Sequence, residues 1–122
     1  MQFRIQSICY DRWNASQLVI DLTNEGVPME PFGQGFQSMS APTKELEKLI
    51  LGEQIVHDGN PVMSWMLSNI ALQEDPAGNI KPNKAKSTEK IDGVVALIMS
   101  LGSFMTESDI NSIYDSRGLL IL

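Results

Sequence analysis

Two carboxylates stand out by where they fall. Asp11, in Tyr10-Asp11-Arg12-Trp13-Asn14, ends a stretch that reads as a strand and precedes one that reads as a helix. Asp92, in Glu89-Lys90-Ile91-Asp92-Gly93-Val94, falls in the first turn of a long helix with an apolar stripe. A carboxylate at the carboxyl end of a strand, beside a helix start, sits where open α/β sheets place their ligands. Two such acids from distant positions can meet at one pole of a sheet and offer hard oxygen donors to a divalent cation, as two-metal phosphoryl-transfer sites require. The plainer reading of each is an acid that favours the positive end of a helix. Spacing alone does not choose between them.

Lys81, Lys84, Lys86 and Lys90 lie just before Asp92. The formal net charge of −6 excludes a generic nucleic-acid coating protein, which would be basic. A local basic patch on an acidic chain still holds a phosphate backbone at one place; the bland alternative is a solvated lysine-rich loop. His57 is the only histidine and has no cysteine near it, which excludes zinc. Gly33-Gln34-Gly35-Phe36 is a glycine loop without the lysine and spacing of a P-loop, and reads as a connection.

The elements that must carry these residues follow from periodicity. Phe3 to Tyr10 reads as a strand, buried on both faces near its end. Asn14 caps a helix whose stripe is Ala15, Leu18, Val19 and Leu22, closed by Gly26. Val27 to Phe32 is a second, proline-interrupted strand, so the first two strands should be parallel. Ser40 or Thr43 starts a helix with Leu46, Leu49 and Ile50 inside and Gly52 at its end. Asn60-Pro61 opens the next, with Val62, Trp65, Met66 and Ile70 on its apolar face and Asn69 one turn on. Asp75-Pro76-Ala77-Gly78-Asn79 joins a hairpin of residues 71–74 and 80–84. Ser87 or Thr88 caps the long helix, Ile91, Val94, Val95, Ile98 and Met99 line it, and Gly102 stops it before a last short helix from Thr106 with Ile110, Ile113 and Tyr114. An apolar tail, residues 118–122, follows.

With 122 residues, 43% of them hydrophobic, the chain suits one modest domain. No apolar run approaches a membrane span, and the start lacks the pattern of a signal peptide. The single Cys9 has no intrachain partner, which fits a reducing cytosol.

Three blocks together carry a family resemblance. Tyr10-Asp11-Arg12-Trp13-Asn14-Ala15 resembles the second acidic motif of bacteriophage terminase large subunits, the motors that package viral DNA. His57-Asp58-Gly59-Asn60-Pro61, with Trp65 and Asn69, resembles their middle block; Lys84 with Ile91-Asp92-Gly93-Val94-Val95-Ala96-Leu97-Ile98-Met99 resembles their closing motif. The resemblance runs in order from about Ile5 to Gly102. It implies an α/β fold of partial ribonuclease H-like type: a short parallel βαβ core with added helices and a small β-hairpin. It divides the chain into a nuclease portion, 1–102, and a C-terminal helix and apolar tail, 103–122. It further implies that Asp11 and Asp92 are catalytic acids holding Mg²⁺ or Mn²⁺, with His57 and Asn69 as neighbours and Lys81, Lys84, Lys86 and Lys90 on double-stranded DNA. The activity implied is endonuclease cutting of concatemeric viral DNA, in the cytoplasm of the bacterial host, with the portal and the small terminase subunit as partners. The family's first acid lies on an opening strand that this chain is expected to lack, and no ATPase motif is present. The expectation is therefore a fragment inactive alone, with the strand 3–10 exposed for self-association or cover by another chain. The alternatives are a non-catalytic interaction or assembly domain that keeps the fold, and another ribonuclease H-like nuclease.

Overall fold

A computed structural model describes residues 3–13 and 15–121, with side chains up to Ser108. Eight elements follow in the order β1 (Ile8–Tyr10), α1 (Ser16–Asn24), β2 (Met29–Pro31), α2 (Phe36–Leu51), α3 (Pro61–Asn69), β3 (Leu72–Glu74), β4 (Ile80–Pro82) and α4 (Asp92–Ile121). β1 and β2 are parallel, with Cys9 opposite Glu30, and β3 and β4 are antiparallel, with Gln73 opposite Lys81. The mixed α/β architecture, its parallel pair and its hairpin are as expected.

The core is built on α4. Ile91, Val94, Val95, Ile98 and Met99 are all buried, joined by Met39 and Leu46 of α2. Their i, i+3, i+4, i+7, i+8 spacing puts them on one helical face. Burying each such side chain stabilises by roughly 1.5–3 kcal/mol, so this face anchors α2, α3 and β1, while the hairpin packs on α2.

α3 starts as the sequence predicts: Asn60 Oδ1 accepts from the Val62 and Met63 N–H groups at 2.9 and 3.2 Å, with Pro61 in the first turn. Its inner face differs. Met63 and Met66 pack on the core, whereas Val62 and Trp65 are 54% and 45% exposed. In α1 the cap position is Ala15, without a side-chain cap, and the predicted cap Asn14 lies outside the described residues. Leu18 of its expected stripe is exposed.

α2 begins at Phe36, earlier than expected, and runs through Pro42. Pro42 withdraws the donor that would serve the Ser38 carbonyl; Ser38 is exposed, while the proline ring is buried. The helix ends at Gly52, as expected, which is its C-terminal cap. Glu53 takes the positive φ of 53° while the Gln54 N–H reaches back to the Leu49 carbonyl at 2.8 Å, a Schellman-type end with a glutamate where glycine is usual.

Two further expectations at α4 fail for packing reasons. Ser87 and Thr88 do not cap it. Ser87 Oγ accepts from the Ala71 N–H and donates to the Asn83 carbonyl, and Thr88 Oγ1 donates to Asn69 Oδ1, so both are spent on the preceding loop. Gly102 does not stop the helix, which continues to Ile121 without a separate last element. A Cβ at 102 would lie 2.5 Å from Phe32 Cζ and 3.1 Å from Pro42 Cγ. Glycine is there to let β2's end and α2 approach. The side chains of Ile110, Ile113, Tyr114 and the 118–122 tail lie outside the described residues.

Candidate functional site

β1 bonds to β2 through Ile8 N–H to the Pro28 carbonyl (2.9 Å) and Phe32 N–H to the Tyr10 carbonyl (2.8 Å). The intervening Cys9 therefore turns its backbone groups to the opposite edge. Among the described residues no strand pairs there. That edge and one face of α4 form the walls of a groove of about 700 Å³. Asp11 and Asp92 both line it, so the structure brings the two predicted acids to one concavity.

Each acid is placed by local structure. Asp11 follows directly on β1, and its Oδ1 accepts from the Trp13 N–H at 3.3 Å, turning the chain towards α1. Asp92 opens α4, where the helix dipole favours a negative charge. Its Oδ1 lies 3.7 Å from Lys84 Nζ, and both side chains are largely exposed.

The lysines divide. Lys84 lines the groove. Lys81 is drawn away, with Nζ 4.9 Å from the Phe36 ring centroid and donating to the Gln34 carbonyl at 3.4 Å. Lys86 and Lys90 are exposed and line no part of the groove. Neither predicted neighbour lines it. His57 borders a separate cavity on the other side of α4, its Nδ1 accepting from the Gly59 N–H at 3.0 Å. Asn69 is buried, and its Nδ2 donates to the Lys90 carbonyl at 3.1 Å while its Oδ1 accepts from Thr88. It holds the entry to α4 rather than facing the groove.

The sequence reading missed Gln34 and Glu107. Gln34, from the glycine loop, lines the groove and donates to Met99 Sδ at 3.6 Å. Glu107 lines its far end. At 1.5 Å per residue, Glu107 stands about 22 Å along α4 from Asp92, too far to share an ion with it. Among the described residues no three His, Cys, Asp or Glu side chains gather closely enough to hold a metal. Two carboxylates are nonetheless the right donors for Mg²⁺ or Mn²⁺, which take one or two carboxylates and leave other positions to water and phosphate.

Residues 1–108 match the family described as the terminase large subunit, endonuclease domain. The chain belongs to this family. It is 38% identical over 103 residues to the terminase large subunit of Enterobacteria phage HK97, covering 83% of this chain and 20% of that protein. It is 39% identical over 97 residues to protein YmfN of Escherichia coli (strain K12), covering 78% of this chain and 21% of that one. The crystal structure of the HK97 bacteriophage large terminase superposes with a TM-score of 0.75 over 83% of this chain and 22% of that one, at 38% identity. This terminase endonuclease-domain chain thus spans about a fifth of the length of the relatives it matches, and its α/β architecture is that of a partial ribonuclease H-like fold. Among the described residues no helix is long and apolar enough to cross a membrane.

Proposed function

We propose that the groove is the metal- and DNA-binding part of a packaging endonuclease that cuts concatemeric viral DNA. The observation that carries this reading is the convergence of Asp11 and Asp92, distant in sequence, on one groove that also holds Lys84. Asp11 and Asp92 would hold Mg²⁺ or Mn²⁺, which when bound supplies Lewis-acid activation of water against a phosphodiester. Lys84 sits beside Asp92 to meet a DNA phosphate, with Lys86 and Lys90 as outer backbone contacts and Lys81 positioning the Gln34 loop. Such contacts give salt-dependent, sequence-independent binding. Residues 1–102 carry most of this function, and the continuation of α4 from 103 adds Ser103, Phe104 and Glu107 to the groove's far end.

Two carboxylates leave the ion short of the three-acid set that the resemblance implies, so this chain alone cleaves weakly or not at all. Plasmid nicking with Mn²⁺ tests this. No robust cleavage is expected; robust cleavage lost in Asp11→Ala would show that two acids suffice, and cleavage that survives both Asp11→Ala and Asp92→Ala would remove the site.

The open edge of β1 calls for cover, by self-association through residues 3–10 or by another chain. A strictly monomeric species in sedimentation at high concentration, with that strand protected from exchange, would contradict this. In the cytoplasm of a bacterial host the portal and the small terminase subunit are the partners that this reading implies. A second reading, a non-catalytic interaction domain, draws on the exposure of Phe3, Trp13 and Phe104 at 79%, 78% and 65%.

A further inference from the structure

The face of α4 turned away from the acids carries a second concavity that the nuclease reading does not use. Two cavities of about 290 and 250 Å³ lie between α2 and α3 and share Leu46, Ile50, Leu67 and Val94 in their linings, so they form one continuous groove. Its floor is aliphatic. Leu51 and Leu72 stand beside it 77% and 44% exposed. Every charged side chain that lines it is acidic: Glu47, Glu53 and Asp58.

We propose that this groove docks an amphipathic, basic helix of a partner protein. An apolar trough between two helices takes the apolar stripe of a third, with anchors at i, i+3 or i+4, and i+7. The acidic rim selects the occupant by charge. Lysines or arginines flanking the stripe meet Glu47, Glu53 and Asp58, whereas an acidic helix of the same apolar pattern meets three like charges. α4 lines this groove with Val94, Leu97 and Ile98, and the acid-bearing groove with Asp92, Val95 and Met99. The partner helix and DNA therefore occupy opposite sides and do not compete.

The test is fluorescence anisotropy of a labelled 18-residue helical peptide with leucines at helical spacing and flanking lysines, titrated with the whole chain. Binding in the micromolar range is expected, at least tenfold weaker when the peptide's lysines are glutamates. The double variant Glu47→Lys/Glu53→Lys, both surface positions, should reverse that preference. Equal binding of both peptides, or a preference unmoved by the double variant, overturns the proposal. So does an absence of peptide binding together with a concentration-dependent dimer that Leu67→Lys abolishes, which would make the occupant a second copy of this chain.

Discussion

Asn69 Nδ2 donates to the Lys90 carbonyl at 3.1 Å, and this bond ties the end of α3 to the residue two before Asp92. The same amide accepts from Thr88 Oγ1, and the Asn69 carbonyl accepts from the Thr88 N–H. One buried side chain thus holds the loop from which α4, and its first-turn acid, departs. Asn69→Ala should cost about 2–3 kcal/mol, because it removes the part-buried hydrogen bonds to Lys90 and Thr88 and opens a small void at a buried position. The check is the denaturation midpoint at unchanged slope, read together with the Asp92-region amide shifts, which should move while those of β1 do not.

Gly102 and Gly93 both sit in α4, where alanine would ordinarily gain about 1 kcal/mol. At Gly102 the new Cβ meets the Phe32 ring at 2.5 and 2.9 Å and Pro42 at 3.1 Å, all stiff groups. Gly102→Ala should therefore destabilise by about 1–3 kcal/mol, and Phe32→Leu should recover part of that loss in a double-mutant cycle. At Gly93 the closest atom is Met66 Sδ at 2.7 Å, on a flexible side chain that is also the acceptor for the Gly93 N–H. Gly93→Ala should cost less than Gly102→Ala in the same denaturation assay.

Glu53 is the one non-glycine residue at positive φ among the described residues. Glu53→Gly should stabilise by up to about 1 kcal/mol, since the left-handed conformation costs an L-residue roughly 1–2 kcal/mol and glycine's looser unfolded chain returns part of the gain. Thermal unfolding reads it, and a lower midpoint would contradict the Schellman-type end.

The hairpin turn depends on one carboxylate. Asp75 is held below the ordinary carboxylate range by the Asn79 side-chain amide first and the Asn79 backbone N–H next. Its Oδ1 accepts from the Ala77 and Asn79 N–H groups at 3.0 and 2.8 Å. A depressed folded pKa contributes stability that is present above the unfolded value of 3.8 and lost as pH falls through the folded one. The Ala77 and Asn79 amide signals should therefore shift together only in acid, below that value, and Asp75→Asn should flatten that dependence.

What was legible in the sequence was local chemistry. Asn60-Pro61 and the Asp75 turn carry their own hydrogen-bonding logic within four residues, and the α4 stripe repeats long enough to declare its face. The failures came where a distant contact decided the outcome. Gly102 reads as a helix stop until Phe32 is seen to need the space, and α2, expected to start at Ser40 or Thr43, begins at Phe36 and carries the buried Pro42 in its second turn. Ser87 and Thr88 look like caps, yet Ala71 and Asn69 claim them. In the candidate site, Asp11, Asp92 and Lys84 were placed by their elements. His57 and Asn69 do not line the acid-bearing groove: His57 borders the cavity on the other side of α4, and Asn69 spends its amide on the Lys90 carbonyl and Thr88.

The most direct test of the account is Mn²⁺ paramagnetic broadening of the amide spectrum. If Asp11 and Asp92 hold one ion, amides of residues 10–12 and 92–93 should broaden together at the same Mn²⁺ concentration, and either Asp11→Asn or Asp92→Asn should remove both effects. Broadening confined to one of the two segments, or centred on Glu47 and Glu53, would contradict it.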